Sequence, residues 1–494
     1  MQPQQRLHKQ FEQLTTTLFI STLLMTLVTP FVQGLTNAAF AIPVTAKSAD
    51  DFVDSMCVNT HWDYDYTPYK SNYNAVKQKL LELGVRHVRD GGSSNIAIAR
   101  MQDLASVGIK TTYIMSPNTG VAPNSSYWVT DSAYYINDFV KNKVGTNAID
   151  AVEIVNEIDL NYNNFYWHPG DTERVNDDSS SPLYWVPYVH SLTQDTWIAL
   201  KSDPSTADIK VIGPSLGQSY DYSNKSPLGD LSTVVDWGNI HSYPLGGNSF
   251  NAPYSYATIA KYYWQGNFPS VNIDENPYIF DVYGPSFGSK PSVSTETGYH
   301  TTKLPKGISE KVHSRYMPRL FLEYFRKGIP RTCSYEFVNQ WNNPHDPEAN
   351  FGLLRNNLSQ KPAYKALRNL INVLKEPGAN FEPGTLDYSF TITPPTDYSQ
   401  IQFVHSLLLQ KSNREFYLAI WHEISNGDTS TTPTREINQP DMPTTITLNT
   451  PVSSARTYII NDTGNISSTK TTINNNTISL NVGEKIQIIR LKPR

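Results

Sequence analysis

Eight short apolar runs, each followed by a stretch with helical spacing, recur along most of the chain. Such alternation predicts consecutive parallel strand–helix units, because parallel neighbours are joined by crossovers that are usually helical. Eight is the number of strands that closes a (β/α)8 barrel. The runs are Phe52–His61, Val85–Asp90, Lys110–Ser116, Ala151–Glu157, Lys210–Pro214, Trp237–Tyr243, Ser292–Glu296 and Thr332–Trp341.

Several of the intervening stretches carry helix end signals. Tyr73–Leu83 has apolar residues at helical spacing and stops at Gly84, a residue type common at helix C-caps. Ile308–Arg326 runs to Gly328 before the eighth strand, and Tyr364–Leu374 supplies a helix after it. Strands and helices therefore alternate to the end of the eighth unit, as a barrel requires.

The chain changes character after Glu376-Pro-Gly378. Gly, Pro, Asn and Thr now separate short runs in which apolar and polar residues alternate, a pattern typical of antiparallel strands with one buried face. The 494 residues exceed the length of a simple barrel, which is about 250 residues. We therefore predict a (β/α)8 barrel over residues 42–378 and an antiparallel β-sandwich over residues 379–494.

Residues 1–41 have the pattern of an export signal. Arg6 and Lys9 precede an apolar stretch from Leu14 to Val28, and residues 39–41 offer a small-x-small cleavage site. Because the stretch is short for a bilayer crossing and contains threonines, secretion is favoured over a retained membrane anchor. We expect a mature protein without a membrane partner, secreted to an extracellular or periplasmic space.

Charge and cysteine content narrow the choice of partners. The net charge of −5 lacks the basic excess typical of nucleic-acid-binding proteins, so no nucleic acid is expected. Two cysteines are too few for a multi-cysteine zinc site, and the sequence has no EF-hand loop, so no metal or cofactor is expected. Cys57 and Cys333 lie on the first and last predicted strands, where either a disulfide or two buried thiols would fit.

Two predicted loops are longer than a minimal barrel needs, and both are aromatic. Asp159–Pro187 follows the fourth strand, and Pro244–Lys290 follows the sixth. Active sites of this fold lie at the carboxyl ends of the strands, so both loops should wall a substrate cleft. Aromatic residues make up 12% of the chain, and aromatic rings stack on sugar faces, which favours a carbohydrate partner.

Two glutamates end strands on opposite sides of the predicted barrel. Glu157 ends the fourth run and Glu296 ends the seventh, whereas Glu153 lies deeper in its strand and is assigned to internal pairing. Glycoside hydrolysis needs one carboxyl group to protonate the leaving oxygen and another to meet the anomeric carbon. We predict Glu157 as the acid and Glu296 as the nucleophile; about 5 Å between them would mean retention, and about 7 Å or more inversion.

Several strand ends carry a distinctive set of residues. They are Asn156-Glu157 after the fourth strand, His241-Ser-Tyr243 after the sixth, Glu296 in Ser294-Thr-Glu-Thr-Gly298 after the seventh, and Trp341 after the eighth. Together they resemble the retaining glycoside hydrolases of clan A, over residues 50–375. The trailing domain is similar to the accessory sandwich of the β-xylosidase, arabinofuranosidase and β-glucuronidase branches. Ile158 is a departure, because many relatives have Pro there, and it weakens assignment to one branch.

The resemblance implies roles for the polar neighbours of the two glutamates. Asn156 would hydrogen-bond the sugar 2-hydroxyl, a contact that strengthens in the transition state. Arg89 and Tyr243 would each donate to Glu296 and keep it ionised. Arg89 has two other possibilities, a salt bridge to Asp90 or a helix cap.

Histidine and tryptophan side chains complete the predicted site. His241 would position the acid or a sugar hydroxyl, or else be a structural histidine. Trp341 would be the platform beneath the −1 sugar, and His61 and Trp62 at the end of the first strand are further subsite candidates. The predicted substrate-binding residues are thus Asn156, Arg89, His241, Tyr243, Trp341, His61 and Trp62.

These features predict a secreted glycoside hydrolase that cleaves a β-linked poly- or oligosaccharide with retention of configuration. One alternative is a non-catalytic carbohydrate-binding protein on the same barrel, and the presence of both carboxylates favours the enzyme. An inverting or transglycosylating barrel is a second alternative. Xylan, glucan, mannan, galactan and uronides all stay open as substrates, because one fold hosts many specificities.

Overall fold

Most of the chain after residue 42 is described by a computed structural model, over residues 43–115, 136–164, 173–217, 228–244, 284–393, 395, 403–428 and 430–494. The predicted export signal at residues 1–41 lies outside the described residues, as do residues 165–172 and 245–283 of the two long loops. Among the helices within these ranges, none combines the length and apolar character needed to cross a membrane.

Eight parallel strands form the predicted barrel. They are β1 Met56–Asn59, β2 His87–Asp90, β3 Lys110–Met115, β4 Ile149–Ile154, β5 Lys210–Ile212, β6 Gly238–His241, β7 Ser292–Thr297 and β8 Thr332–Ser334. Their order in the sheet is β5-β4-β3-β2-β1-β8-β7-β6. A bridge between Ile212 and Trp237 links the two end strands, so the sheet closes on itself.

Helices follow or precede the strands with the expected end signals. They are α1 Ala49–Asp54, α2 Pro68–Ser71, α3 Tyr73–Leu83, α4 Asn95–Ala105, α5 Ile158–Asn161, α6 Trp185–Ser202, α7 Glu310–Arg326 and α8 Pro362–Leu374, with a π-helix at Phe139–Val144 and 3-10 turns at Tyr162–Asn164 and Gly284–Phe287. Gly84 caps α3 at φ 90°, a conformation that glycine adopts without strain. The Ser309 hydroxyl accepts the Val312 N–H and so starts α7.

Most of the predicted strands are shorter in the structure, and the first and the last differ most. Residues 52–54 at the start of the first run belong to α1, which begins where the Ser48 hydroxyl accepts the Asp51 N–H as an N-cap. The last run ends its strand at Ser334, and the chain then turns into a loop that contains Trp341. The mouth of β8 therefore lies earlier in the chain than the apolar pattern suggests.

A disulfide joins the first and last barrel strands. In the β1–β8 register Cys57 faces Cys333, and their Cα atoms are 4.1 Å apart. Of the two possibilities that the sequence left open, the structure has the bonded pair. The bond links residues 276 positions apart and ties the two ends of the barrel sequence together.

The carboxyl-terminal part forms two antiparallel sheets around a separate apolar core. The strands are β9 Tyr388–Ile392, β10 Val404–Gln410, β11 Phe416–His422, β12 Met442–Leu448, β13 Val452–Ile460, β14 Ile466–Thr471, β15 Thr477–Val482 and β16 Gln487–Pro493. One sheet has the order β9-β12-β15 and the other β14-β13-β16-β11-β10. Leu418, Ile446 and Ile478 belong to their shared core. Lys47–Ser48 extends the second sheet at β10, so the chain contributes to this domain before it enters the barrel.

Helix α7 attaches the barrel to the sandwich through charged side chains. Arg315, Arg319 and Glu323 recur every four residues and so share one helix face. The Arg315 Nε donates to Asp462 Oδ1 at 2.8 Å. The Arg319 Nη1 donates to the His422 carbonyl at 2.7 Å. We call this contact the seam; its members are Arg315, Arg319, Glu323, His405, His422 and Asp462.

Candidate active site

A cavity of about 820 Å³ lies at the carboxyl ends of the barrel strands. This volume is within the range of about 300–1,000 Å³ that small-molecule sites occupy. Parallel strands bring side chains that are distant in sequence to this one end of the barrel. The predicted site residues in its wall are His61, Arg89, Asn156, Glu157, Tyr243 and Glu296.

Glu157 reaches the cavity through a sharp turn of the chain after β4. Val155 and Glu157 have φ values of 24° and 46°, in the region that residues other than glycine rarely occupy. Such conformations cost about 1–3 kcal/mol each and persist where the surroundings enforce them. Gly217 packs against this turn, since a Cβ there would lie 2.8 Å from the Glu157 Cδ. The turn leaves the Glu157 side chain 21% exposed.

Glu296 is held by hydrogen bonds on both oxygens. The Arg89 Nη1 donates to Oε1 at 2.6 Å, and the Tyr243 hydroxyl donates to Oε2 at 2.7 Å. Burial opposes ionisation, but the charges of His241 and Arg89 and the Tyr243 hydroxyl outweigh it and lower the pKa of the Glu296 carboxyl. Glu296 is therefore an oriented carboxylate at neutral pH.

His241 lies behind the two glutamates and contacts both. Its Nδ1 is 2.8 Å from Glu157 Oε1 and 3.7 Å from Glu296 Oε2. Its Nε2 is 3.1 Å from the Thr295 hydroxyl. Burial would lower its pKa, but three carboxylates, Glu296, Glu153 and Glu157, raise the pKa to about 10. His241 is therefore an imidazolium that donates from both ring nitrogens.

Glu153 is the buried partner of Arg89. The Arg89 Nη2 donates to Oε1 at 2.7 Å, and the Nε donates to the other oxygen. Burial disfavours the charged form, but the Arg89 charge and its hydrogen bonds outweigh it and lower the pKa of Glu153 to about 2. Arg89 also donates to Asn156 Oδ1 at 2.7 Å. One guanidinium thus contacts three of the residues around the cavity.

The two predicted catalytic carboxyl groups lie close together. One oxygen of Glu157, one oxygen of Glu296 and a ring nitrogen of His241 are all within 4.8 Å of one another. Three such atoms are near enough to share a metal ion, and His241 would have to lose a proton to bind one. Carboxyl groups about 5 Å apart can flank a single glycosidic bond.

Three predicted binding residues do not line the cavity: His241 lies behind the two glutamates, and the positions of Trp62 and Trp341 are corrected by the structure. Trp62 is fully buried and packs edge-on against Tyr69 and Tyr73, with ring centroids 5.9 and 5.4 Å away, so it belongs to the core. Trp341 is 40% exposed in the loop after β8, where its Nε1 donates to Asp346 at 3.1 Å. β8 ends too early to carry Trp341 to the cavity wall.

Two other aromatic residues line the cavity beside Tyr243. Tyr335 and Phe351 line the cavity with ring centroids 5.4 Å apart, and Tyr243 lies 5.7 Å from Phe351. Tyr335 directly follows the end of β8. The rule that functional side chains follow strand ends points to Tyr335 once the strand is ended at the correct residue.

His61 lies in the cavity wall beside two residues that sequence reasoning did not single out. Its ring stacks on Tyr64 with centroids 4.3 Å apart. Its Nε2 lies 3.4 Å from Glu336 Oε2, and Glu336 is fully buried. The first and eighth strands are neighbours, which explains why His61 and Glu336 meet.

Comparisons with known proteins find likeness among solved structures. No protein-family model matches the chain, and no curated protein matches it. A family 39 glycoside hydrolase from the gut symbiont Bacteroides cellulosilyticus has a TM-score of 0.54 and 16% identity, covering 90% of this chain and 82% of that one. A family 39 β-xylosidase from Caulobacter crescentus has a TM-score of 0.52 and 14% identity, covering 91% of this chain and 98% of that one.

A third structure extends the likeness to another glycoside hydrolase family. The catalytic domain of a family 30 xylanase C from Talaromyces cellulolyticus has a TM-score of 0.50 and 12% identity, covering 91% of this chain and 98% of that one. Sequence identities of 16%, 14% and 12% are evidence for a shared fold only. The chain therefore has the barrel-and-sandwich fold of these glycoside hydrolases, and the fold prediction is confirmed.

Proposed function

We propose that the chain is a glycoside hydrolase that acts with retention of configuration. The observation that carries the proposal is the pair Glu157 and Glu296, with oxygens within 4.8 Å of one another at an 820 Å³ cavity. Retaining enzymes have carboxyl groups about 5 Å apart, whereas inverting enzymes need about 6.5 Å or more to admit a water. The separation therefore supports double displacement.

The different surroundings of the two carboxyl groups support different roles. Glu296 accepts hydrogen bonds from Arg89 and Tyr243, which suits an ionised nucleophile. Glu157 lies at a sharp turn and is more exposed, with 21% of its side chain accessible against 11% for Glu296. An acid that must meet both a leaving group and a water suits this more open position.

In the first step Glu296 attacks the anomeric carbon while Glu157 gives its proton to the leaving oxygen. The bond from carbon to the leaving oxygen breaks, and an ester between the sugar and Glu296 forms. Asn156 accepts from Arg89 through Oδ1, so its amide N–H groups are free to turn toward the sugar 2-hydroxyl.

In the second step Glu157 takes a proton from water, and the water oxygen replaces the Glu296 ester. The His241 Nδ1 contact at 2.8 Å keeps the Glu157 carboxyl turned in the same direction through both steps. Tyr335 and Phe351 would face the sugar ring during them, since both rings line the cavity.

The substrate and the place of action belong to the same proposal. A β-linked poly- or oligosaccharide is supported by the β-xylosidase among the similar structures. Secretion is supported by the Cys57–Cys333 disulfide, because such bonds persist mainly in oxidising compartments. A mature protein beginning near Ile42 is the form to test.

The first experiment is hydrolysis of a panel of nitrophenyl β-glycosides and β-linked oligosaccharides by that mature protein. The first-formed anomer is followed by proton NMR, and we expect it to keep the configuration of the substrate. Opposite configuration would identify an inverting enzyme. Binding of an oligosaccharide without product after long incubation would identify a carbohydrate-binding protein instead.

A second experiment assigns the roles of the two glutamates. In Glu157→Ala, azide should restore turnover of a substrate with a good leaving group and give a glycosyl azide of unchanged configuration. In Glu296→Ala, azide should attack in place of the missing nucleophile and give the opposite configuration. Exchange of these two outcomes would reverse the assignment.

A further inference from the structure

A third glutamate lies directly beneath the catalytic pair. Glu153 is fully buried on β4, and it is not part of the cavity wall. It therefore cannot touch a substrate. Its carboxylate nevertheless reaches the residues that hold each of the other two glutamates.

On one side Glu153 fixes the orientation of Arg89. Two hydrogen bonds from Arg89 grip both oxygens of Glu153 and set the plane of the guanidinium. The remaining donors of that plane then point at Glu296 Oε1, 2.6 Å away, and at Asn156 Oδ1, 2.7 Å away. Without Glu153 the guanidinium would lose the contact that selects this orientation.

On the other side Glu153 lies close to His241, with the Thr295 hydroxyl between them; that hydroxyl also reaches Asn239 Oδ1 at 2.9 Å. The Thr295 Oγ1 lies 3.1 Å from His241 Nε2 and 3.1 Å from Glu153 Oε1. The direct distance from Nε2 to Glu153 Oε1 is 3.8 Å. The negative charge of Glu153 therefore stabilises the positive ring that donates to Glu157.

The cluster around Glu153 contains two cations and three carboxyl groups. The cations are Arg89 and His241, and the carboxyl groups are Glu153, Glu157 and Glu296. A buried cluster with unbalanced charge is costly. With Glu153 and Glu296 ionised, their two negative charges balance the positive charges of Arg89 and His241.

We propose that Glu153 is a positioning residue for the reaction, a single buried carboxylate that orients Arg89 toward Glu296 and keeps His241 cationic toward Glu157. This inference rests on the proposed function for its catalytic meaning. The contacts of Glu153 can be tested without measuring enzyme activity, because the pKa of His241 should respond to the nearby charge of Glu153.

The other groups that face His241 come from several strands. Glu157 approaches from the turn after β4 and Glu296 from β7. Arg89 on β2 lies beyond Glu153, and Tyr243 follows His241 on its own strand end. Glu153→Gln leaves the residues at these positions unchanged and removes one negative charge beside His241, so the titration of His241 should respond to it.

The experiment compares Glu153→Gln with a matched control, Glu323→Gln. Glu323 is equally buried but pairs with His405 in the seam. Imidazole signals are followed by NMR as a function of pH, and the His241 signal is the one lost in His241→Asn. We expect the His241 midpoint, near pH 10 in the wild type, to fall in Glu153→Gln by about one pH unit or more. Glu323→Gln should leave it unchanged.

Turnover supplies a second readout. In Glu153→Gln we expect kcat to fall by about 10- to 100-fold with KM little changed, because supporting residues act through the groups they orient. Glu153→Asp keeps the charge but shortens the reach to Arg89. It should keep the His241 midpoint near its wild-type value while kcat still falls.

An unchanged His241 midpoint in folded Glu153→Gln overturns the proposal. Should that variant not fold, Glu153→Asp decides, because it keeps the charge but shortens the reach to Arg89. A His241 midpoint near the wild-type value together with a lower kcat supports the proposal, and an unchanged kcat refutes it. If the wild type hydrolyses no glycoside but the His241 midpoint is still lower in Glu153→Gln, the proposed function is refuted. The contact between Glu153 and His241 is then still supported.

Discussion

The cavity cluster and the seam are built from the same kinds of residue and differ in what lies beside them. Each centres on a buried arginine, Arg89 at 2% exposure and Arg319 at 0%. Each also holds a fully buried glutamate, Glu153 or Glu323. In the seam these charges face the sandwich, whereas at the cavity Glu296 faces open volume.

The buried charges of the seam hold two domains together, whereas under the proposed function those at the cavity take part in the reaction. Perturbed titration occurs in both clusters, since the pKa of Glu296 and the pKa of Glu323 are both lowered by neighbouring cations against the effect of burial. Shifted pKa values alone therefore do not mark a catalytic site. The open space next to the oriented Glu296 carboxylate distinguishes the cavity cluster from the seam, and under the proposed function the two clusters should fail in different ways when altered.

The largest effect is expected from the carboxyl groups at the cavity. Glu296→Gln and Glu157→Gln should each lower kcat on unactivated substrates by about 10³-fold or more, because each removes a group that acts at the reacting bond. Glu323→Gln, an equivalent change in the seam, should retain kcat in its folded fraction. Rates on an unactivated oligosaccharide, with circular dichroism as the folding check, decide between these outcomes.

The two buried arginines give the next comparison. Arg319→Met removes the hydrogen-bond donors to the His422 and Ile424 carbonyls and to Asn426. The free energy of unfolding should therefore fall by about 3–5 kcal/mol. Arg89→Met should instead lower kcat by about 10²-fold through loss of its contact with Glu296. Denaturant titration and steady-state rates measure the pair. A similar loss of kcat in both variants would contradict the distinction.

The disulfide tests the support beneath the cavity. Replacing Cys57 and Cys333 together by Ala should lower the free energy of unfolding by about 2–5 kcal/mol, because the bond restricts a very long loop in the unfolded chain. Thermal unfolding of the double variant and of the reduced wild type should agree. An unaltered midpoint would mean that the barrel closes equally well without this bond.

Acid should weaken both clusters. Glu153 has a folded pKa of about 2 against an ordinary value of 4.5, so it stabilises the fold above pH 4.5 and loses that contribution as the pH falls toward 2. The difference corresponds to about 3 kcal/mol. Urea unfolding between these pH values should show the decline, and Glu153→Gln and Glu323→Gln should each flatten it. A decline of equal slope in all three proteins would assign it to other groups.

The sequence predicted the order of the barrel strands and the residues at most of their carboxyl ends. Parallel barrel strands are buried on both faces, so they appear in the sequence as continuous apolar runs. Glu157, Tyr243 and Glu296 meet at one cavity because each follows the carboxyl end of a parallel strand. The end of β8 was not predictable in the same way, since the apolar pattern continues past Ser334 into a packed loop. As a result Trp341 was expected in the cavity wall, where the structure has Tyr335.

Contacts between side chains on different strands required coordinates. The sequence indicated that Glu153 is internal, but the contacts it makes with Arg89 and Thr295 depend on barrel radius and register. The sharp turn at Glu157 likewise has no signature in the sequence, because Val155 is a poor candidate for a positive φ. The disulfide could be suggested from strand neighbourhood but not decided.

The smallest expected effect compares two aromatic residues that follow β8. Tyr335→Ala removes a ring from the cavity wall and should lower kcat/KM by about tenfold, the scale of one aromatic contact. Trp341→Ala removes a 40% exposed ring outside that wall and should change kcat/KM by less than about twofold. Steady-state rates on a monosaccharide glycoside and on a longer oligosaccharide separate the −1 position from more distant ones. A loss for Trp341→Ala confined to the longer substrate would place Trp341 at an outer subsite, and a loss on both would return it to the platform role.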